Sequence, residues 1–127
     1  MKLRIKGNSL RLRLTRSELE RIVLGDRIEE TIQFSSAKHA RLTYALESSK
    51  DSKAVSVRYL PQEVTVILSE EQVLTWSDAN NVGVYASVDI GEEGSLGIAV
   101  EKDFACLDGS DDDNRDTFTN PHADSVC

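Results

Sequence analysis

The hydrophobic pattern of MKLRIKGNSLRLRLTRSELERI, residues 1–22, recurs in VSVRYLPQEVTVILSEEQVLTW, residues 55–76. Leu14 corresponds to Leu68, 54 positions later, and the same offset relates Leu42 to Leu96 and Leu46 to Val100. Two strands in which apolar and polar residues alternate match each other by chance in many registers. A chance match does not, however, continue at one offset through a helix and several loops. The chain is therefore predicted to consist of two similar halves, about residues 1–54 and 55–107.

Each half contains one helix signal between strand signals. Thr15 and Glu18 have the spacing of a capping box, as do Ser69 and Gln72, which predicts helices over about 16–24 and 70–78. Alternation of apolar and polar residues predicts strands at 2–6, 10–14, 28–34, 40–47, 55–59, 64–68, 82–90 and 96–100. This order predicts an α+β fold, in which tandem strand–helix–strand units form a curved or closed antiparallel, barrel-like sheet with two outer helices.

Length and composition indicate one domain. The chain has 127 residues and a net charge of −7, and a chain of this length buries a single core. We expect the domain to span residues 1–107 and residues 108–127 to form an acidic, flexible tail. The first six residues alternate like a strand rather than a signal peptide, and no apolar run has membrane-spanning length, so a cytoplasmic protein is expected. Two cysteines, Cys106 and Cys127, agree with a reducing compartment.

The charge layout supplies the candidate binding site. The first fourteen residues carry five cations and no acid, whereas residues 104–127 carry six aspartates and one arginine. Because Arg11 and Arg13 alternate with leucines, they share one face of a strand. A concave basic surface of this kind binds phosphate or carboxylate groups through bidentate arginine contacts. The predicted ligand-binding residues are Arg4, Lys6, Arg11, Arg13, Arg41 and Arg58.

The tandem order of elements resembles the fold of the triphosphate tunnel metalloenzymes, in which duplicated units close an eight-stranded barrel around a charged channel. The first strand of that family reads Glu-x-Glu-x-Lys, and its acids hold a divalent metal ion. Here the strand reads Lys2-Leu3-Arg4-Ile5-Lys6, so only Lys6 corresponds. The resemblance implies metal-dependent hydrolysis of a triphosphate. The candidate metal ligands in place of the missing acids are Glu47, Glu101 and Asp103, because Glu47 and Glu101 correspond to each other in the repeat.

A second resemblance lies in the sequence itself. MKLRIKGNSLRLRLT at residues 1–15 and VEKDFACL at residues 100–107 are similar to a family of short uncharacterised bacterial proteins. This resemblance spans both ends of the chain and implies no known activity.

Three functions stay open at this point. The first is a non-enzymatic binding module for a small anionic ligand or a protein segment, which needs no cofactor. The second is a divalent-metal-dependent phosphohydrolase of the tunnel type, and the third is a structural partner domain with neither ligand nor chemistry. Nucleic acid and membranes are not expected partners, because the net charge is negative and no exposed aromatics lie between the basic residues. The acidic tail is also a candidate ligand of the basic face.

Other residues favour structural roles. Trp76 shares a helical stripe with Val73 and is expected in the core, and Cys106 is expected to be a buried core cysteine. Gly83 and Gly97 are expected to mark bulges or close packing. The acidic stretch from Asp108 lacks the glycine and glutamate of an EF-hand loop, and Cys106, His122 and Cys127 lack the spacing of a zinc site. His39 is expected in a loop.

Overall fold

The structure, a computed structural model, describes residues 1–104 and 116–118. Within these residues, eight strands and two helices follow one another along the chain, and a 3₁₀ turn, Gly91–Glu93, joins the last two strands. The elements are β1 (Lys2–Ile5), β2 (Ser9–Leu14), α1 (Arg16–Val23), β3 (Ile28–Gln33), β4 (Arg41–Ser49), β5 (Ser56–Leu60), β6 (Glu63–Ser69), α2 (Glu70–Ser77), β7 (Gly83–Asp89) and β8 (Ser95–Lys102). The predictions for Cys106, Cys127 and His122 lie outside the described residues, as does the acidic tail apart from residues 116–118.

Both predicted helices are confirmed together with their capping boxes. The Thr15 hydroxyl accepts a hydrogen bond from the Glu18 amide at the start of α1, and the Glu18 carboxylate accepts one from the Thr15 amide. Ser69 and Gln72 make the same two bonds at the start of α2. These bonds satisfy amides that have no partner inside the helix. Each helix has eight residues and buries two apolar side chains, Leu19 and Ile22 in α1 and Val73 and Trp76 in α2.

The strands form two four-stranded sheets rather than one closed barrel. Sheet 1 has the order β1-β2-β8-β7 and sheet 2 the order β3-β4-β6-β5. The outer pairs in each sheet are antiparallel, but the central pairs, β2 with β8 and β4 with β6, are parallel. The α+β class is therefore confirmed, while the prediction of a closed, antiparallel sheet is wrong. Each central pair joins strands from different halves, so no tight hairpin imposes an antiparallel direction on it.

The two halves have matching element positions. The helices begin 54 residues apart, and so do β1 and β5, β2 and β6, and β4 and β8. The match shifts in β7, because Ile28 lies opposite Leu46 whereas Val84, 56 residues after Ile28, lies opposite Val100. Val84, and not Val82, thus takes the position that corresponds to Ile28. A duplicated origin of the halves stays a prediction.

One apolar core fills the space between the sheets and the helices. It combines Leu12, Ile98 and Val100 of sheet 1 with Leu46, Val66 and Leu68 of sheet 2. A small crevice between the sheets is lined by apolar residues such as Leu3, Leu10, Leu42 and Val64. The sheets therefore pack through side chains, and the described residues do not enclose a charged channel. The resemblance to the tunnel fold is not confirmed.

The chain start lies along the seam between the sheets. The Met1 ammonium group is 2.6 Å from a carboxylate oxygen of Glu18 and 3.3 Å from one of Glu30. The Tyr44 hydroxyl lies 3.0 Å from Oε2 of Glu30 and 3.3 Å from the Met1 carbonyl oxygen, and its single proton is donated to one of these two acceptors at a time. Polar side chains thus connect β1 to β3 and β4 where a closed barrel would have backbone hydrogen bonds.

Candidate functional site

The outer face of sheet 1 carries two consecutive rows of cations. The register of β1 and β2 places Lys2 opposite Arg13 and Arg4 opposite Arg11. Directly opposite residues of an antiparallel pair project to the same side, so the four cationic side chains are neighbours. We call Lys2, Arg4, Arg11 and Arg13 the basic face. The register thus places Arg4, Arg11 and Arg13 on one surface, and their role in ligand binding stays a prediction.

These rows are an unfavourable arrangement for a purely structural surface. Like charges directly opposite each other on a sheet destabilise it, whereas opposite charges stabilise it by a few tenths of a kcal/mol to about 1 kcal/mol. One acidic side chain lies within ion-pair distance of the two arginines of β2 in the described part of the chain. Oε1 of Glu101 is 3.1 Å from Nε of Arg11 and 3.9 Å from Nε of Arg13.

Glu101 is held in place by Tyr85 on the next strand. The Tyr85 hydroxyl donates a hydrogen bond of 2.6 Å to Oε2 of Glu101. Burial raises the pKa of Tyr85, and the hydrogen bond to Glu101 and the charge of that carboxylate raise it further, to about 12, against the opposing charges of Arg11 and Arg13. Tyr85 therefore stays protonated at neutral pH and fixes the carboxylate beside the arginines.

The donors of the basic face are largely unused. Within residues 1–104 and 116–118, no group accepts a hydrogen bond from the guanidinium of Arg4, Arg11 or Arg13. Lys2 differs, because its Nζ lies 2.9 Å from Oδ2 of Asp103. The face thus presents three arginines whose planar donor groups suit phosphate and carboxylate oxygens.

The other predicted ligand-binding residues lie elsewhere. Lys6 is in the turn after β1, where its backbone pairs with Ser9. Arg41 begins β4 and Arg58 lies in β5, so both belong to sheet 2. Nη2 of Arg58 donates a hydrogen bond of 3.3 Å to Glu47. The structure therefore does not bring Arg41 and Arg58 to the basic face.

Sheet 2 has a compact ionic cluster in place of a basic face. Arg27, just before β3, contacts three carboxylates: Nη1 is 2.5 Å from Oε1 of Glu47, Nε is 3.0 Å from Oε2 of Glu29, and Nη2 contacts Glu63. Its Nη1 also donates a hydrogen bond of 3.3 Å to the buried Thr65 hydroxyl. Arg27 thus has three carboxylate partners, whereas the two arginines of β2 on sheet 1 share the single carboxylate of Glu101.

The three predicted metal ligands are not brought together. Glu47 contacts Arg27 and Arg58 on sheet 2, whereas Glu101 contacts Arg11 and Tyr85 on sheet 1. Asp103 follows β8 and pairs with Lys2. No group of three or more histidine, cysteine, aspartate or glutamate side chains in the described part of the chain is arranged to hold a metal ion.

Glu47 gives the protein a pH-dependent component of stability. Burial acts to raise the pKa of Glu47, but hydrogen bonds from Arg27 and Arg58 and the charges of these arginines outweigh it and lower the pKa below 4.5. The unfolded chain therefore binds a proton at higher pH than the folded chain, so this stability is present above about pH 4.5 and is lost as the pH falls through the lower folded value.

We expect Glu47→Gln to lower the free energy of unfolding at pH 7 by about 1 kcal/mol and to reduce its loss between about pH 5 and pH 3. Urea unfolding across this pH range measures both effects. Glu92→Gln makes the same charge change in the exposed 3₁₀ turn and should keep the wild-type slope. If the free energy of unfolding changed equally with pH in the wild type and in Glu47→Gln, Glu47 would not be the source of this pH dependence.

Comparison with known proteins decides the family. A family model described as a family of unknown function, DUF7009, matches residues 1–122. The chain belongs to this DUF7009 family. No curated protein and no solved structure matches it. The prediction from the sequence of an uncharacterised family is thus confirmed, and the family leaves the function to be argued from the site.

Neither α1 nor α2 is long and apolar enough to cross a lipid bilayer, and this holds for every helix in the described residues.

Proposed function

We propose that the protein is a binding module whose basic face recognises a polyanionic ligand. The observation that supports this most directly is the register of β1 and β2, which sets Lys2 opposite Arg13 and Arg4 opposite Arg11. The repulsion within these rows is relieved when an anion binds between them. Sheet 2 lacks such rows, because Arg41 lies opposite Gln33 and Arg58 lies opposite Thr65. Arg27 and Arg58 are also paired with carboxylates.

The spacing of the rows indicates a ligand with at least two anionic groups. Residues two apart on a strand project to the same side roughly 7 Å apart. The two outer phosphates of tripolyphosphate, which a central phosphate separates, approach this distance, and so do carboxylates two residues apart in an extended acidic peptide. Bidentate arginine contacts add geometric selection for phosphate and carboxylate oxygens over monoatomic anions.

The proposal is tested by titrating the full chain with tripolyphosphate and with chloride as the monovalent reference. We expect saturable binding of tripolyphosphate that weakens as salt is added. Arg11→Gln should weaken it at least about tenfold, because a charge-assisted hydrogen bond contributes roughly 1.5–3 kcal/mol. Arg41→Gln is the matched control, since it removes the same charge from sheet 2, and it should change the affinity less than about twofold.

Two results would contradict this assignment. Equal losses of affinity in Arg11→Gln and Arg41→Gln would mean that binding depends on net charge alone. An absence of saturable binding would exclude the basic face as a binding site. Repeating the titration with and without Mg²⁺ separates binding from the tunnel-type phosphohydrolase, because hydrolysis by that route needs a divalent ion. Glu47 and Glu101 lie on different sheets, which is why binding is the function that we propose.

A further inference from the structure

A second cavity lies on the helix side of the molecule, away from the basic face. It has a volume of about 630 Å³ and is bounded by α1, the end of α2, the end of β8 and the segment at Phe118. This volume is within the range of about 300–1,000 Å³ that is typical of small-molecule sites. Its walls are mainly apolar and include Leu19, Val23, Leu24, Ala79, Phe104 and Phe118.

Lys102 contributes a buried charge to this apolar cavity. The residue is 5% exposed, and its Nζ donates one hydrogen bond of 2.8 Å to the Asp78 carbonyl. In the part of the chain that the structure describes, no carboxylate lies within ion-pair distance of this ammonium group. Burial lowers the pKa of Lys102, partly opposed by the charge of Asp78. A buried ammonium group without a counter-ion is costly to the fold, so its presence beside a cavity indicates a role in binding an anion.

A second cation shares the same aromatic ring. Phe118 has the Lys102 Nζ 5.3 Å and the Arg16 guanidinium carbon 5.6 Å from its ring centroid. Phe104 packs against Phe118 edge-on, with ring centroids 6.0 Å apart. The lining also includes one acidic residue, Glu20. The cavity therefore combines two cations with an apolar wall.

We propose that this cavity binds an amphipathic carboxylate, a small molecule with one carboxylate group on a hydrocarbon or aromatic body. The carboxylate neutralises Lys102 and Arg16. The apolar body lies against Leu19 of α1, Leu24 just after it, and the two phenylalanines. Charge complementarity selects an anion over a cation of the same shape, and the apolar walls select it over a small hydrophilic anion such as acetate. This site is independent of the polyanion site proposed for the basic face.

The test is calorimetric titration of the full chain, below the micelle concentration, with decanoate, decyltrimethylammonium and acetate. Of these three compounds, we expect only decanoate to show saturable binding. Lys102→Met keeps the apolar stem of the side chain and removes the charge, so it should weaken decanoate about tenfold, which corresponds to the loss of one charge-assisted interaction. Lys38→Met, at an exposed position, is the matched control and should leave the affinity unchanged.

A second variant keeps the test decisive if Lys102→Met does not fold. Leu24 is 81% exposed at the rim of the cavity, so Leu24→Glu should fold normally and weaken decanoate through repulsion of its carboxylate. Decanoate that binds equally to all variants, a cationic detergent that binds as tightly, or no saturable binding would each overturn the proposal. Self-association of the chain through this face that excludes decanoate would overturn it as well.

Discussion

Trp76→Ala is expected to lower the free energy of unfolding by about 4 kcal/mol and the melting temperature by roughly 15 °C. Trp76 is 1% exposed and belongs to the core cluster that joins both sheets and both helices. Its Nε1 also donates a hydrogen bond of 3.1 Å to the Val82 carbonyl, in the connection between α2 and β7. The substitution leaves a large cavity and removes one of the two hydrogen bonds that this carbonyl accepts, the other coming from the Lys102 amide.

Circular dichroism during urea unfolding measures this effect, because Trp76 is the one tryptophan of the chain and its fluorescence is lost in the variant. Leu74→Ala is the matched control on the same helix. Leu74 is 60% exposed, and its truncation should cost less than about 0.5 kcal/mol. A loss below about 1 kcal/mol for Trp76→Ala would mean that α2 is not anchored by this side chain.

Gly83→Ala is expected to destabilise the protein by about 2–3 kcal/mol, although its backbone conformation suits alanine. A Cβ atom at Gly83 would lie 2.5 Å from the Val100 carbonyl oxygen and 3.0 Å from Cγ of Glu101. The first contact is with backbone, which yields only if the pairing of β7 with β8 shifts. The second displaces the side chain that Tyr85 holds beside the arginines.

Gly97→Ala is the control for this substitution. A Cβ atom there would lie 3.2 Å from Cβ of Ser9, a contact relieved by a shift of a few tenths of an ångström. The variant should lose less than about 1 kcal/mol in the same urea experiment. If both glycine variants lose equal stability, the difference in steric contact does not control the effect. A Tyr85 pKa that stays raised in Gly83→Ala would show that Glu101 keeps its position.

The features that were predicted correctly from the sequence are those encoded locally. The two capping boxes need only a residue at the helix start and another three positions later, and both helices begin where these residues predict. The shared face of Arg11 and Arg13 follows from the alternation within one strand. The close packing predicted at Gly83 is also confirmed.

The features that the sequence did not predict depend on partners distant in the chain. No local pattern states that β2 pairs with β8 in parallel, or that Arg41 lies on the sheet without a basic face. Arg27 precedes its strand and has no periodic signal, yet it contacts three carboxylates. The burial of Lys102 could have been predicted, because Lys102 continues the alternating inward positions of Ile98 and Val100. A lysine at such a position, however, usually indicates the end of a strand.

The way that strands from the two halves share each sheet has a consequence for folding. Sheet 1 takes β1 and β2 from the first half and β7 and β8 from the second, and sheet 2 is composed in the reciprocal way. Neither half therefore forms a complete sheet by itself, and the two halves are interlocked. Ser9 pairs with Gly97, 88 residues later, and such distant pairings make folding slow. The loop between β4 and β5 is the natural hinge for an exchange of halves between two copies, because each copy could complete its sheets with strands from its neighbour.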